Sequence, residues 1–460
     1  MIQSVQDFQH PFFIGIAGSG MSAIAQYLQG TGKQVSGSDR FFKEEEHNDT
    51  KEKLEKEGIR CFVQNGEGIT PYTDLVVVSA AIEDTVAEIQ KARQLGLPIM
   101  KRSELLALIA ASRKTIAVGG TSGKSTTSAM LFDILEYAGL QPGIISGAGL
   151  VSLIRQGKIG NAKVGAEDGW LIIEADESDG SIVQYKPEIG LLLNVDKDHK
   201  EMDVLMDVFR QFKNNSRVFV VNRSHALARE FSQNARLDFS ADDTDTTAGY
   251  RATDFHQEGF AVSFKINGVD FSLQLAGRYN MENALAATAV AAEAGVTLQT
   301  CAAALQHYEG IYRRYQVLGQ KQGVWVIDDY AHNPVKCAAA IRASQPVAPK
   351  VIAWFQPHGY GPTKFLRNDF VKEIGDALRP EDEIWMSEIF YAGGSAEKDI
   401  SAGDLVNDLL QKGKQAFFVP DRNDFVTTVR THLTDKCVLL LMGARDPSLE
   451  QFAGQVWKEL

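Results

Sequence analysis

Residues 117–127 read AVGGTSGKSTT and continue a strongly apolar stretch, KTIAVGG, that begins at Lys114. The β-branched and apolar residues before the glycines predict a buried strand, and the residues from Ser125 onward predict an apolar helix. Backbone N–H groups in a glycine-rich loop, together with the N-terminus of the helix that follows, form a cradle for phosphate oxygens. The sequence therefore predicts a strand, a phosphate-binding loop and a helix.

Two side chains give this loop the chemistry of a nucleotide triphosphate site. Lys124 would neutralise charge on the β- and γ-phosphates, and the Ser125 hydroxyl would bind Mg²⁺. The pattern GxxxxGK[ST] is incomplete because Val118 stands where its first glycine belongs. An ordinary glycine-rich turn with a solvated lysine is the alternative. The residues that we assign to ATP in this loop are Gly120, Thr121, Ser122, Gly123, Lys124, Ser125 and Thr126.

Polar residues that follow two later strands are candidate metal ligands. Glu174 lies at the end of WLIIEAD, and His199 follows EIGLLLNV in the segment NVDKDHKE. The carboxyl ends of parallel strands meet at the crevice where α/β proteins bind ligands. A plain acidic loop and a structural histidine are the alternatives. We predict ATP with one or two Mg²⁺ ions, with Ser125, Glu174 and His199 as metal ligands.

The N-terminal segment contains a second glycine-rich turn. GIAGSGMS, residues 15–22, follows the first strand and opens a helix, and Asp39 ends the next strand. The turn resembles GxGxxG, with Ala17 in place of the middle glycine, and this pattern alone indicates a dinucleotide site of a dehydrogenase. The same arrangement would bind any pyrophosphate, including that of a nucleotide sugar.

Strands alternate with helices along most of the chain, which predicts α/β domains with parallel sheets. The first hundred residues predict a Rossmann-like sheet, and a polar stretch from about 237 to 275, with the turn Asn267-Gly268, predicts a small antiparallel sheet. A third series of strands runs from WVIDDY to CVLLLMG. We expect three domains: a Rossmann-like domain (1–111), a P-loop ATPase-like domain that carries the small antiparallel sheet (112–313) and a second Rossmann-like domain (314–460).

Composition excludes several classes of protein. The 460 residues carry 47 basic and 59 acidic side chains, a net charge of −12, and 44% of them are hydrophobic. This balance indicates a globular protein and argues against general binding to nucleic acid or to an anionic membrane. No stretch is apolar enough to span a bilayer, and the start of the sequence does not resemble a secretory signal, so we expect a cytoplasmic protein. The four cysteines are far apart and predict reduced thiols.

Three later segments carry further candidate ligand-binding groups. Asn280 and Asn283 lie near the start of an alanine-rich helix, where they would meet an adenine edge or simply cap the helix. VIDDYAHNP (326–334) and FQPHGYGPTK (355–364) each follow a strand with a cluster of acidic, histidine and tyrosine side chains. Such clusters at strand ends more often bind ligands than pack in a core.

The order of these segments resembles the Mur ligase family over residues 13 to about 443. The quoted motifs are GIAGSGMS, VVSAAI, GGTSGKSTT, EADESD, NVDKDHKE, GRYNMENALAA, YRRYQVLG, DDYAHNP and FQPH. The resemblance implies three domains, for a UDP-sugar, for ATP and for the incoming amino acid. It implies an ATP-dependent ligase that joins L-alanine to UDP-N-acetylmuramate through an acyl phosphate, in peptidoglycan synthesis. We expect a monomer or a weak homodimer.

The resemblance also implies roles for individual residues. It implies that Lys124, Glu174, His199 and Arg314 are catalytic, and that Asn283, Arg314 and Asp329 contact ATP. His332, His358 and Tyr330 would contact the amino acid. The residues implied for the UDP-sugar are Gly18, Ser19, Gly20, Met21, Ser22, Asp39, Ser79 and Ala80.

Some residues depart from the family pattern. Family members that add alanine usually show FQPHRYSRT, so Gly359 and Pro362 replace two arginines, and Lys364 or Arg445 would have to supply the missing charge. The departure leaves two alternatives open: a salvage ligase that attaches a preformed peptide, and a non-catalytic sensor of nucleotide or UDP-sugar. The sensor is disfavoured by the presence of Lys124, Ser125, Glu174 and His199. A dehydrogenase would leave the GKST loop unexplained.

Overall fold

The computed structural model describes residues 2–79, 82–178, 180–196, 201–391, 393 and 397–460. The chain is an α/β protein that divides into two compact units. The first comprises Met1–Thr253, Ile266–Val269 and Asn283–Ile311, and the second comprises Asp254–Lys265, Asp270–Glu282 and Tyr312–Leu460. The three predicted domain boundaries stay a prediction.

The N-terminal sheet of the first unit is parallel throughout, in the order β3-β2-β1-β4-β5. Helices that cover parallel sheets explain why every residue of β1 is buried. The order reverses between β1 and β4, and the carboxyl ends of strands at such a point form a ligand crevice. The elements are β1 (Pro11–Ile14), α1 (Ser19–Gly30), β2 (Ser36–Asp39), α2 (Asp49–Lys56), β3 (Arg60–Val63), β4 (Leu75–Val78), α3 (Ala87–Gln94), β5 (Ile99–Lys101) and α4 (Arg102–Ala111).

The second sheet of this unit has the order β11-β10-β6-β9-β7-β8, and only the β7–β8 pair is antiparallel. Strand β6 leads into the phosphate loop and lies between β9 and β10, so three strand ends converge on the loop. The elements are β6 (Lys114–Gly119), α5 (Lys124–Tyr137), β7 (Gly143–Ile145), α6 (Val151–Ile154), β8 (Ala162–Lys163), β9 (Trp170–Ala175), β10 (Ile189–Leu192), α7 (Met202–Asn215) and β11 (Val218–Val221).

A small sheet follows in the order β12-β13-β14-β15. Asn267 and Gly268 have φ angles of +47° and +84°, as a two-residue hairpin turn of the primed type requires. The predicted antiparallel character is wrong for one pair, because the two-residue strand β12 runs parallel to β13 after a nine-residue connection. The elements are β12 (Phe239–Ser240), β13 (Tyr250–Glu258), β14 (Ala261–Ile266), β15 (Val269–Leu273), α8 (Arg278–Glu293) and α9 (Leu298–Gln306).

The second unit contains a six-stranded sheet in the order β16-β17-β21-β18-β19-β20, in which only β16–β17 is antiparallel. Asn333 begins α10, because its side chain accepts the Lys336 N–H and Pro334 occupies the first helical turn. The elements are β16 (Gln316–Lys321), β17 (Val324–Asp329), α10 (Pro334–Ser344), β18 (Lys350–Gln356), α11 (Tyr360–Phe365), α12 (Arg367–Ala377), β19 (Glu383–Met386), α13 (Ala402–Gln411), β20 (Gln415–Phe418), α14 (Phe425–Val429), β21 (Cys437–Gly443) and α15 (Leu449–Glu459).

The α/β fold class is confirmed. The charged helix α2 begins at Asp49, because the Asn48 side chain accepts the Lys51 N–H and caps the helix there. Among the described residues, no helix combines the length and the apolar character needed to cross a lipid bilayer.

Candidate functional site

The phosphate loop requires glycine at two positions. Gly120 and Gly123 have φ angles of +130° and +86°, which L side chains rarely adopt. A Cβ on Gly123 would also lie 2.5 Å from Asn283 Oδ1. Lys124 then begins α5, and the Thr127 N–H donates to the Gly123 carbonyl oxygen. The N-terminus of α5 therefore points its N–H groups into the loop.

Lys124 is held inside this loop. Its Nζ donates to the Gly120 carbonyl oxygen and to Glu177 Oε2, both at 2.7 Å, and lies 3.8 Å from Asp176 Oδ1. Burial acts to lower the pKa of Lys124, but the carboxylates of Glu177, Asp176 and Glu174 outweigh it and hold the pKa above its ordinary value. The side chain is thus a largely buried cation, 15% exposed, whose charge a phosphate group would meet. Sequence reasoning missed Glu177, although it lies in the quoted acidic segment.

Ser125 and Glu174 lie in direct contact, as expected for two ligands of one metal ion. Ser125 Oγ donates to Glu174 Oε2 at 2.7 Å. Glu174 Oε1 accepts from Ser146 Oγ and from the Gly147 N–H, both at 2.6 Å. Hydroxyl and carboxylate oxygens are the ligands that Mg²⁺ prefers, so this group of oxygens fits that ion.

Asn194 fixes the start of the loop, and sequence reasoning missed it. Its Oδ1 accepts from Thr121 Oγ1 at 2.9 Å and from the Ser122 N–H at 2.8 Å. Asp196 also contacts Thr121, and its Oδ1 lies 3.2 Å from His225 Nε2. The position of Asn194 immediately after the strand EIGLLL was the available signal.

His199, the predicted ligand of a second metal ion, lies outside the described residues, as does Ala80 of the predicted UDP-sugar site. Within the described ranges, no group of three or more His, Cys, Asp and Glu side chains is arranged to hold a metal ion. The Ser125–Glu174 contact is therefore the part of the predicted metal site that the structure describes.

The predicted UDP-sugar residues lie around the first turn of α1. Gly18 is the N-cap of this helix, and Met21 and Ser22 are buried behind the turn. Asp39 is also buried, and its oxygens accept the N–H groups of Ala17 at 2.9 Å and Phe41 at 3.0 Å. Asp39 therefore fixes the backbone immediately before Gly18. Ser19 and Gly20 open the helix, and Ser79 follows β4, which pairs with β1.

Asn283 contacts the phosphate loop of the same unit. Its Oδ1 accepts from Thr127 Oγ1 at 3.2 Å, and its side chain packs against Gly123. The side chain is buried. Asn283 therefore supports the loop.

The second unit brings its predicted residues together at the end of β17. The Arg314 guanidinium lies 4.7 Å from the centre of the Tyr330 ring, and the rings of His332 and His358 are 5.6 Å apart. His332 Nδ1 lies 2.9 Å from the Tyr330 carbonyl oxygen, which can only accept. His332 therefore donates from Nδ1, and Nε2 of the neutral ring is the acceptor.

Burial sets the protonation of two groups in this cluster. It raises the pKa of Asp329 to about 6, although the Arg314 guanidinium and the Ala331 N–H act in the opposite direction. Burial also holds the pKa of His332 well below its ordinary value, and the nearby positive charge of Lys336 adds to this effect. His332 is therefore neutral at pH 7.

The FQPH loop adopts a conformation that suits its departure from the family pattern. Gly359 has φ +72° and ψ 124°, a region for glycine, and its N–H donates to the Phe390 carbonyl oxygen at 2.8 Å. An arginine at this position would need a different backbone. Lys364 forms an ion pair with Asp399, and Arg445 is exposed. Arg422, which sequence reasoning missed, pairs with Asp446 and donates to Gln356 Oε1 of the FQPH motif at 2.9 Å.

Comparison with protein families gives three matches along the chain. Residues 11–114 match the Mur ligase family catalytic domain, residues 118–291 the Mur ligase middle domain, and residues 313–445 the Mur ligase glutamate ligase domain. The Mur ligase resemblance read from the sequence is thus confirmed.

Whole-chain relatives agree with these matches. The UDP-N-acetylmuramate–L-alanine ligases of Syntrophomonas wolfei and of a Synechococcus species are each 34% identical to the chain, over 97% of its length and 94% of theirs. The crystal structure of UDP-N-acetylmuramate-alanine ligase MurC from Thermotoga maritima is 25% identical, with a TM-score of 0.78 and 98% of each chain covered. A murein peptide ligase from Psychrobacter arcticus, 21% identical with a TM-score of 0.68, shares the fold.

Proposed function

Since the chain belongs to the Mur ligase family, we propose that it joins L-alanine to UDP-N-acetylmuramate, with cleavage of ATP to ADP and phosphate, as a step of peptidoglycan precursor synthesis. The observation that carries the proposal is the phosphate loop, in which the largely buried Lys124 and the Ser125–Glu174 pair lie together. The names of the full-length relatives support the choice of substrates. We further propose a cytoplasmic location, where ATP is produced and consumed.

The proposed reaction has two steps. An oxygen of the muramate carboxylate attacks the γ-phosphorus of ATP, the bond to the β-phosphate oxygen breaks, and ADP leaves with an acyl phosphate formed. The neutral amine of L-alanine then attacks the acyl carbon, and the tetrahedral intermediate expels phosphate and leaves an amide. The proton lost by the amine must pass to a base or to water.

The chain contributes mainly position and charge to these steps. Lys124 is oriented by Gly120 and Glu177 so that its ammonium can neutralise the transferring phosphate. Ser125 and Glu174 would hold Mg²⁺, which when bound neutralises charge on the β- and γ-phosphates. We also propose that His199 binds a second metal ion.

The other assignments are part of the same proposal. The turn Gly18–Ser22, with Asp39 and Ser79, would bind the UDP-sugar, because helix N-termini attract phosphate. From the second unit, Arg314 and Asp329 are assigned to ATP, and Tyr330, His332 and His358 to the amino acid. Neutral His332, with Nε2 as acceptor, is suited to accept a hydrogen bond from the attacking amine and so to orient it.

A second candidate is a ligase of the same family that attaches a preformed peptide to UDP-N-acetylmuramate. Gly359, in a conformation typical of glycine, and Pro362 favour this candidate, because neither residue carries the positive charge that the family pattern places at its position. The two candidates share the ATP and UDP-sugar sites and differ only in the amine.

Phosphate release decides between these candidates. The purified chain is incubated with ATP, Mg²⁺ and UDP-N-acetylmuramate. L-alanine, glycine, L-serine or a tripeptide, which represents the preformed peptide of the second candidate, is then added in separate reactions. We expect the strongest stimulation with L-alanine. Stronger stimulation by the tripeptide would favour the peptide ligase, and no stimulation by any of them would refute both assignments.

Two lysine variants control this assay. Lys124→Ala should abolish phosphate release and leave UDP-N-acetylmuramate binding largely intact. Lys114→Ala is the matched control, because Lys114 lies at the opposite end of β6, where its Nζ stacks over the Trp170 ring. It should retain activity. Equal losses in both variants would indicate a general defect in folding.

A further inference from the structure

Asn161 joins the predicted UDP-sugar turn to the rest of the first unit. It directly precedes β8 and is only 2% exposed. Its Nδ2 donates to the Ser19 carbonyl oxygen at 2.7 Å and to Ser22 Oγ at 3.0 Å, both in the first turn of α1. Its Oδ1 accepts from Gln26 Nε2 at 2.7 Å. The carboxamide thus uses both N–H donors and its oxygen, which fixes its orientation.

The same residue is linked to the phosphate loop from its other side. The Asn161 carbonyl oxygen accepts the Ser146 N–H at 2.9 Å. Ser146 Oγ donates to Glu174 Oε1 at 2.6 Å, and Ser125 Oγ donates to Glu174 Oε2 at 2.7 Å. A continuous set of contacts therefore runs from the first turn of α1 to the first turn of α5.

Burial makes these contacts costly to break. Ser22, Asn161 and Ser146 are each at most 3% exposed, so water cannot readily replace a lost partner. Hydrogen bonds in such a setting are strengthened by the low dielectric, and an unpaired buried donor carries a full desolvation penalty. A shift of the α1 turn around a ligand must therefore be followed by Asn161, and through Ser146 by Glu174.

We propose that Asn161 is a positioning residue that couples the two nucleotide sites, so that binding of UDP-N-acetylmuramate tightens binding of ATP, and the reverse. The inference rests on the proposed function, because it takes the α1 turn as the UDP-sugar site and the Ser125–Glu174 pair as the ATP–Mg²⁺ site. Linkage requires the effect to be reciprocal.

The test measures this coupling directly. The dissociation constant of a non-hydrolysable ATP analogue with Mg²⁺ is determined by calorimetry on the full chain, without and with saturating UDP-N-acetylmuramate. For the unaltered chain we expect the UDP-sugar to tighten the analogue at least about fivefold, the lower end of typical allosteric coupling. The coupling ratio is the dissociation constant of the analogue without UDP-N-acetylmuramate divided by the constant with it. In Asn161→Ala this ratio should fall to within about twofold of one.

A matched control separates coupling from general damage. Asn215 also donates a side-chain N–H to a backbone carbonyl, that of Val183 at 2.7 Å, but lies in α7, outside this set of contacts. Asn215→Ala should keep the full ratio. If Asn161 were only structural, Asn161→Ala would lower the melting temperature and leave the ratio unchanged, and that result would overturn the proposal.

A second position keeps the test decisive if Asn161→Ala does not fold. Ser146→Ala removes the hydroxyl that contacts Glu174 and should also reduce the ratio, whereas Ser146→Thr retains the hydroxyl and should restore it. An unchanged ratio in Ser146→Ala would contradict the proposal, as would a ratio of one in the unaltered chain that binds both ligands. Failure of the unaltered chain to bind UDP-N-acetylmuramate at all would instead refute the proposed function.

Discussion

At the scale of single residues, Gly123 shows how closely the phosphate loop is fitted to its surroundings. Its backbone is in a left-handed conformation, and Asn283 Oδ1 occupies the space that a Cβ would need. That oxygen is held by Thr127, so it cannot move away without the loss of a buried hydrogen bond. The glycine is therefore required both by conformation and by contact.

We predict that Gly123→Ala weakens ATP binding at least tenfold and lowers the free energy of unfolding by about 2–4 kcal/mol, because backbone strain and a lost hydrogen bond add. Gly139→Ala is the matched control at the other end of α5, with φ +76° and nothing within 4 Å of the added Cβ. Gly139→Ala should lower the free energy of unfolding by about 1–2 kcal/mol, because only the strain of a left-handed backbone at alanine is added. If Gly123→Ala and Gly139→Ala bound ATP with affinities within twofold of each other, this account would be wrong.

Sequence reasoning identified residues whose own chemistry marks them. Lys124 and Ser125 stand in a recognisable loop, and the structure has Ser125 in contact with Glu174. It missed Glu177 and Asn161, whose importance depends on which distant side chain they meet. Glu177 lies 53 residues from Lys124 in sequence, and no local pattern specifies that pairing.

At the scale of elements, strand β17 places two adjacent buried acidic residues on opposite faces of its sheet, because successive side chains of a strand alternate between the faces. Asp328 forms an ion pair with Arg313 at 2.8 Å. Asp329 is buried and accepts the Ala331 N–H at 2.8 Å, and burial raises its pKa to about 6. The folded protein therefore holds a proton on Asp329 more tightly than the unfolded chain does.

This difference predicts how stability depends on pH. Ionisation of Asp329 costs stability progressively as the pH rises from about 4 to about 6, and the cost is complete and constant at higher pH. The change from 3.8 to about 6 corresponds to roughly 3 kcal/mol. Asp329→Asn keeps the oxygen that accepts the Ala331 N–H and removes the charge.

We therefore expect Asp329→Asn to be more stable than the unaltered chain by about 1–3 kcal/mol at pH 8, and by much less near pH 4. Denaturant unfolding at several pH values measures this difference. Activity should fall, since the carboxylate is assigned to ATP. A stability difference that does not change between pH 4 and 8 would show that charge is not the cause.

Elements with long apolar runs followed by glycine or acidic residues were predictable, as β6, β9 and β21 illustrate. Strands β5 and β8 have three and two residues, too few for a periodic pattern to emerge. Their positions depend on neighbours that pair with them. The parallel direction of β12 escaped prediction for the same reason, since sequence alone does not reveal a partner.

At the scale of the whole molecule, the net charge of −12 opposes the binding of polyphosphates. Local groups must overcome this field: the α5 N-terminus, Lys124 and, in the proposed function, Mg²⁺ held by Ser125 and Glu174. We predict that chelation of Mg²⁺ with EDTA lowers ATP affinity at least tenfold. Adenosine, which carries no phosphate, should bind equally with and without EDTA.

The variant Ser125→Ala sharpens this prediction. It removes one proposed ligand of the ion, so ATP affinity should fall in the presence of Mg²⁺ and respond less to EDTA. An unchanged response to EDTA would mean that Mg²⁺ acts on ATP in solution and not through this site.

The strand order of the second unit has a consequence for protein synthesis. Strand β21 is hydrogen-bonded between β17 and β18, although it is the last of the six to be translated. Until Cys437–Gly443 leaves the ribosome, the facing edges of β17 and β18 remain open, with apolar side chains and unpaired backbone groups exposed. A stalled nascent chain that ends before Cys437 would therefore be a ready client for chaperones, and a stop codon there would yield an aggregation-prone fragment.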